Sequence, residues 1–230
     1  MKFTSKLSAE ERRAAIIKAV QRVFAENGFH GTTTRALAEA AGVSEALLFK
    51  HFPNKEALYS AMQRSCCDGP DQGRIERLKG LEPSASTLVL MVHFLVSRIV
   101  GGCGVGDDEQ TIQNRLMLRS FAEDGEFARL LLRRLATGWV PKIEECVKVA
   151  VAAGEAVAGP VHPNLGAWFT HHLAATLLLY SLPATPVVDY GVPRDKLVEQ
   201  AVWFALRGLG LKEEAIKRYY NSKALALFEG

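Results

Sequence analysis

The residue types most able to do chemistry stand, in most of this chain, at spacings that do not support it. The glycine-rich run VGGCGVGDD at 100–108 follows an apolar stretch, as a dinucleotide-binding loop would. Such a loop needs G-x-G-x-x-G between a strand and a helix. Here Gly102, Gly104 and Gly106 are followed by Asp107 where the last glycine belongs, and a carboxylate there would repel a pyrophosphate. The run reads as an interhelical loop. His171 and His172 look like metal ligands, but neighbours on a helix point about 100° apart and no third ligand lies at i+4. Cys66, Cys67, Cys103 and Cys146 lack paired CxxC spacing, and the adjacent Cys66 and Cys67 are poorly placed to bond each other, so four reduced thiols are expected. No P-loop, zincin or nucleophile-elbow spacing occurs. No cofactor, metal or catalytic residue is expected.

What remains is LAEAAGVSEALLFKHFPNK at 37–55, and its chemistry is recognition. Glu45, Ala46 and Leu47 line the exposed start of a short helix. Glu45 could accept from a cytosine amine, or could merely complement the helix dipole. Leu47 could touch a thymine methyl.

The elements that position these residues are short helices with legible ends. Ser8 and Glu11 form a capping box, and Ile16, Ile17, Val20, Val23 and Phe24 recur at helical spacing as far as Asn27-Gly28. Thr32 or Thr33 can cap a second helix, which runs to Ala41. Gly42 breaks it, Ser44 caps a third, and Pro53-Asn54 ends that one and caps a fourth starting at Lys55. Two helices joined by three residues make a helix-turn-helix. Ala38 is small where they approach, while Val43 and Leu48 turn inward towards Leu37, Ile17, Val20 and Phe24. A helix that must enter a groove roughly 12 Å wide is short because it protrudes, not because it buries surface.

Composition agrees. Residues 1–65 hold ten Lys/Arg against six Asp/Glu within a net charge of +3, so the head is basic and the remainder near neutral. That asymmetry suits a polyanion partner for the head alone. The start of the chain has no apolar segment of signal-peptide type, and the longest apolar run, 88–100, is interrupted and shorter than the ~20 residues of a membrane span. A soluble, cytoplasmic protein without a membrane partner is expected. Further helices are predicted at 75–80, 86–100, 108–123, 126–152, 163–182, 194–209 and 212–220, with Pro141 kinking or dividing the fourth of these. The best boundary candidate is DGPDQG at 68–73, giving domains at 1–67 and 68–230.

Residues 8–60, and above all GFHGTTTRALAEAAGVSEALLFKHFPNKEALY at 28–59, resemble the DNA-binding domain of the tetracycline-repressor (TetR) family of bacterial regulators. The matching elements are Gly28-Phe29, Thr32–Thr34 with Arg35, Leu37-Ala38, Ala41–Ser44, Leu48-Phe49, His51-Phe52 and Asn54-Lys55, about a quarter of the chain. The resemblance implies an all-α fold: a three-helix helix-turn-helix domain followed by a larger helical domain for ligand binding and dimerisation. It implies a homodimeric repressor on a palindromic double-stranded operator, released by a small-molecule effector. Its DNA contacts would come from Thr33, Thr34, Arg35, Ser44, Glu45, Ala46, Leu47, Phe49, Lys50, His51 and Lys55. Among these Lys55 would hold a phosphate, with the amides of its helix N-terminus. Phe49 departs from the pattern, because tyrosine is usual there and phenylalanine cannot make its hydroxyl contact.

In the larger domain, an apolar effector pocket is expected from His93, Phe94, Arg98, Met117, Phe121, Trp139, Trp168 and His172. Helices 163–182 and 194–209 correspond to the family's dimerising pair. Phe169, Leu173, Leu197, Ala201, Phe204, Ala205 and Gly208 are the candidate contacts, with Ala201, Ala205 and Gly208 as a small-residue face. An enzyme or ligand-binding activity confined to this domain is the alternative reading.

Overall fold

A computed structural model describes residues 7–67, 72–101, 109–183, 185–221 and Leu225. Most of the expected boundary at 68–73, the glycine-rich loop from 102, and the thiols of Cys66, Cys67 and Cys103 lie outside these described residues. The architecture is all-α. Helix α1 spans Ala9–Gly31, α2 Thr34–Ala40, α3 Glu45–His51, α4 Lys55–Cys67, α5 Gln72–Lys79 and α6 Ala85–Val96. Then come α7 Glu109–Ala122, α8 Glu126–Arg134, α9 Val140–Ala152, α10 Pro163–Ser181, α11 Arg194–Gly208 and α12 Glu213–Tyr219. Among the described residues the extended pairing is an isolated antiparallel bridge between Ala156 and Leu211. No described helix is long and apolar enough to cross a membrane.

Two compact units emerge from the packing. The first takes in the chain up to Asp71 and a returning stretch from Asp107 to Leu132. It therefore exceeds the expected 1–67 segment. The reason is apolar: Leu116 of α7 and Phe127 of α8 are buried in one cluster with Ile16, Val20, Phe24, Leu37, Leu48, Phe52 and Met62. Helices α2 and α3 have seven residues each, fewer than the roughly 12 an isolated helix needs, so caps and burial must hold them. The Ser8–Glu11 capping box is formed, and α1 leaves helical geometry at Gly28, whose φ is +70°.

The second unit covers Gln72–Gly106 and Arg133–Gly230. Its axis is α6, where Leu88, Val89, Met91, Val92 and Val96 are wholly buried, with α9, α10, α11 and α12 packed around it. Burial on every side explains a sequence apolar all round, and the helix ends in a π turn at Ser97–Gly101. Pro141 divides the expected 126–152 helix as anticipated. Its missing N–H cannot join the ladder, the preceding residues Leu135–Trp139 widen into a second π turn, and α9 restarts with proline in its first turn. Cys146 is buried, which pushes its thiol pKa up.

His171 on α10 gives this unit a pH signature. Burial, and then the neighbouring His172, lower its pKa from 6.5 to about 4. The fold holds the neutral ring, while the unfolded chain takes up a proton once the pH drops below 6.5. The contribution is therefore complete above pH 6.5 and lost as the pH falls through about 4, by at most about 3 kcal/mol. Urea midpoints at pH 7 and pH 4.5 should differ less in His171→Gln than in the wild type. An equal difference would remove His171 as the cause.

Candidate nucleic-acid interface

The exposed edge of the first unit is built by two caps. Thr33 accepts the Ala36 amide at 3.2 Å and starts α2, and Ser44 accepts the Leu47 amide at 3.2 Å and starts α3. The turn between them depends on Gly42, at φ +63° with open space beside it. Thr34 and Glu45, from the two first turns, meet directly: the Thr34 hydroxyl donates to the Glu45 carboxylate at 2.9 Å. Glu45 thus ties α2 to α3, a role that neither sequence reading of it contained.

Arg35 lies beside this bridge. Its side chain is 81 % exposed and pairs with Glu39 at 2.9 Å, an i,i+4 contact with both partners in solvent. The Glu39 hydrogen bond raises the guanidinium pKa, so the group stays charged. Such a pair exchanges easily for a stronger acceptor. Ala46, Phe49 and Lys50 are exposed, whereas Leu47 and His51 are half-buried. Phe49 presents an exposed ring that carries no hydroxyl.

Lys55 departs from expectation. Its ammonium donates to the Phe29 carbonyl at 2.8 Å and to the Thr32 carbonyl at 3.0 Å, and lies 4.4 Å from the centre of the Phe29 ring. These carbonyls follow the break at Gly28, and the Phe29 carbonyl also accepts the Thr32 amide at 3.4 Å. Rather than pointing free at a phosphate, Lys55 closes the turn that launches α2. Arg13 was not anticipated at all. It donates to the His51 carbonyl at 2.6 Å and covers the Phe52 ring at 4.1 Å, fixing the end of α3. In sequence it is one of several charges on α1, and nothing marks it.

Residues 16–62 match the family model described as "Bacterial regulatory proteins, tetR family". Over these residues the chain is similar to the TetR family. The HTH-type transcriptional regulator RutR of Escherichia coli K12 is 43 % identical over 70 residues, which are 30 % of this chain and 33 % of RutR. The chain spans about a third of the length of the curated relatives it matches. Similarity to solved structures extends further. AibR in complex with isovaleryl coenzyme A and operator DNA has a TM-score of 0.63 at 20 % identity, over 84 % of this chain and 97 % of that one. FadR from Bacillus subtilis, in complex with stearoyl-CoA, has a TM-score of 0.57 at 18 % identity, over 85 % and 98 %. At those identities the likeness shows the fold: a TetR-like helix-turn-helix domain followed by a helical domain.

Within that TetR-like helical domain the expected pocket residues do not gather as one set. His93, Phe94 and Trp139 are buried in the second unit's core, with the Phe94 and Trp139 rings 5.8 Å apart and His93 edge-on to Tyr220 at 5.7 Å. Arg98 is half-buried on the π turn that follows α6. Trp168 is half-buried and stacks on the exposed His172 at 6.0 Å. Met117 and Phe121 are corrections: both lie in the first unit, Met117 against its core and Phe121 exposed.

The dimer candidates divide in the same way. Ala201 and Ala205 are only 6 % and 5 % exposed and belong to the chain's own core, so they are not a surface face. Phe204 is 71 % and Phe169 56 % exposed; Gly208 is exposed, and Leu173 and Leu197 are half-buried. A groove of about 570 Å³ along α11 is lined by Lys196, Glu199, Gln200, Trp203, Phe204 and Arg207, all on one helix, so it is a helix flank and not an enclosure. Among the described residues no three His, Cys, Asp or Glu side chains are gathered to hold a metal ion.

Proposed function

We propose that the protein is a sequence-specific DNA-binding transcriptional regulator, a homodimeric repressor that leaves a palindromic operator when a small, largely apolar effector binds. The observation that carries this reading is the edge formed by exposed Thr33, Arg35 and Ala46 with half-buried Thr34, over a core that fixes α2 and α3. Polar and cationic groups on a rigid, protruding helix pair suit base edges in a major groove. The complex of AibR with operator DNA and isovaleryl coenzyme A supports assigning both partner types to this fold.

The dimer would form through α10 and α11, which pack on each other and leave Phe169 and Phe204 in solvent. These two exposed rings, one on each helix, are what a partner surface would cover. The effector would enter the second unit beside His93, Phe94 and Trp139, where aromatic walls and few polar groups favour an apolar ligand. To act as an inducer it must bind the DNA-free state more tightly, by the same factor as it weakens DNA binding.

Selection of bound sequences from a random DNA pool tests the central claim. A two-fold-symmetric consensus is expected, with affinity falling steeply as salt rises. Recovery of no consensus overturns it. On the recovered operator, Arg35→Ala should cost about 1–3 kcal/mol and relax preference at one base pair in each half-site. Titration across operator variants checks this. A uniform loss on every variant would make Arg35 a phosphate contact and leave specificity to Glu45, Ala46 and Leu47.

A further inference from the structure

The backbone of Phe29 is held on both sides of its Cα. Its carbonyl accepts from the Lys55 ammonium at 2.8 Å, and its amide donates to the Glu123 carboxylate at 3.3 Å. Lys55 comes from α4, within the helix-turn-helix head. Glu123 comes from the end of α7, ninety-four residues along the chain from Phe29. One turn earlier on α7, the Arg119 guanidinium donates to the Glu26 carbonyl at 2.7 Å. The last turn of α1 is thus tied at two points to the end of α7.

The seat for Glu123 is made by a missing side chain. Gly28 has φ +70°, and a Cβ there would run into the Glu123 carboxylate. Glycine therefore serves twice, allowing the left-handed backbone and leaving room for the acceptor. Glu123 is itself fixed by the turn after α7. The buried Ser120 accepts the Gly125 amide on its carbonyl at 2.7 Å and the Ala128 amide on its hydroxyl at 3.0 Å. A carboxylate on the Phe29 N–H and an ammonium on its C=O hold the two successive peptides that flank its Cα, each by a charge-assisted bond. Four residues after Phe29 stands Thr33, the cap of α2, and then Thr34 and Arg35.

We infer that Glu123 is a positioning residue for DNA reading: by holding the Phe29 amide over Gly28, it sets where α2 begins and where Arg35 is presented. This rests on the DNA-binding reading above. It goes beyond that reading by assigning the placement of the head to a residue in the distant stretch that also supplies Leu116 and Phe127 to the same core.

The test uses the full chain and the operator recovered by selection. Glu123→Ala removes the acceptor, and Glu123→Gln removes the charge but keeps an acceptor oxygen. In Glu123→Ala the Phe29 amide should exchange with solvent about tenfold faster, and operator affinity of the folded protein should fall about tenfold. The salt dependence of binding should stay as in the wild type, because no phosphate contact is lost. Glu123→Gln should restore most of both effects. The inference is overturned if Phe29 exchange does not change in Glu123→Ala, or if exchange quickens with affinity unmoved. It is overturned equally if Gln behaves as Ala, which would make the effect one of charge alone. Failure of the wild type to select any DNA sequence would instead remove the DNA-binding reading on which the inference stands.

Discussion

Phe204→Glu should yield a folded monomer, whereas Ala205→Glu should yield little folded protein. The two residues are adjacent on α11, about 100° apart around it, and one is exposed while the other is buried. Ala205 is 5 % exposed in a cluster with Val202 and Leu206, both wholly buried. A carboxylate forced into that cluster costs several kcal/mol, against a total stability of roughly 5–15 kcal/mol. Phe204 is 71 % exposed in the single chain, so its replacement removes almost no intrachain packing. In a two-fold dimer the same change acts twice. Each ring loses about 1.5–3 kcal/mol of burial, and each new charge faces an apolar partner. Mass in solution by light scattering, with thermal melting of the same samples, decides the matter. A Phe204→Glu protein that keeps a dimer mass at micromolar concentration would place the interface elsewhere. An Ala205→Glu protein that melts like the wild type would mean that Ala205 does not belong to the core around α11.

The contrast between those neighbours shows how much of the molecule is legible in its residues. Helix ends were readable because each needs a local chemical device: Ser8 with Glu11, Thr33, Gly42, Ser44 and Asn54 all do what their types and positions predict. The core of the head was readable because Val20, Phe24, Leu37 and Leu48 repeat at helical spacing. Which side of a helix faces its own chain was less readable. Small residues at Ala201 and Ala205 permit close approach by any helix, and periodicity does not say whether the neighbour is α6 of the same chain or a second copy. The membership of α7 in the first unit was equally hidden. Leu116 and Phe127 are ordinary apolar helix residues, and only tertiary packing decides which core receives them. Met117 and Phe121 belong to the first unit for the same reason, whereas Phe94 and Trp139 belong to the second.

Lys55 presents the sharper case, because its type and position agree with two roles that differ in what they predict. A lysine at a helix start beside DNA suits a phosphate, and loss of one such contact per subunit would flatten the salt dependence by about 0.9 per subunit while leaving the free protein as stable as before. The observed ammonium instead satisfies two carbonyls and covers a ring, at 2.8, 3.0 and 4.4 Å. Hydrogen bonds from a charged donor are worth about 1.5–3 kcal/mol, and without the ammonium the Phe29 carbonyl would keep only the long bond from the Thr32 amide. Lys55→Met keeps the apolar stem over Phe29 and removes only the donor. It should destabilise the DNA-free protein by about 2 kcal/mol, lowering its melting temperature by several degrees. Operator affinity should fall as well, with the salt slope close to that of the wild type, because the loss comes from a loosened start of α2 and not from a missing counterion. Melting curves without DNA and binding isotherms at several salt concentrations separate the roles. An unchanged melting temperature with a flattened slope would return Lys55 to the phosphate. It would also show that the turn carbonyls of Phe29 and Thr32 are content with water.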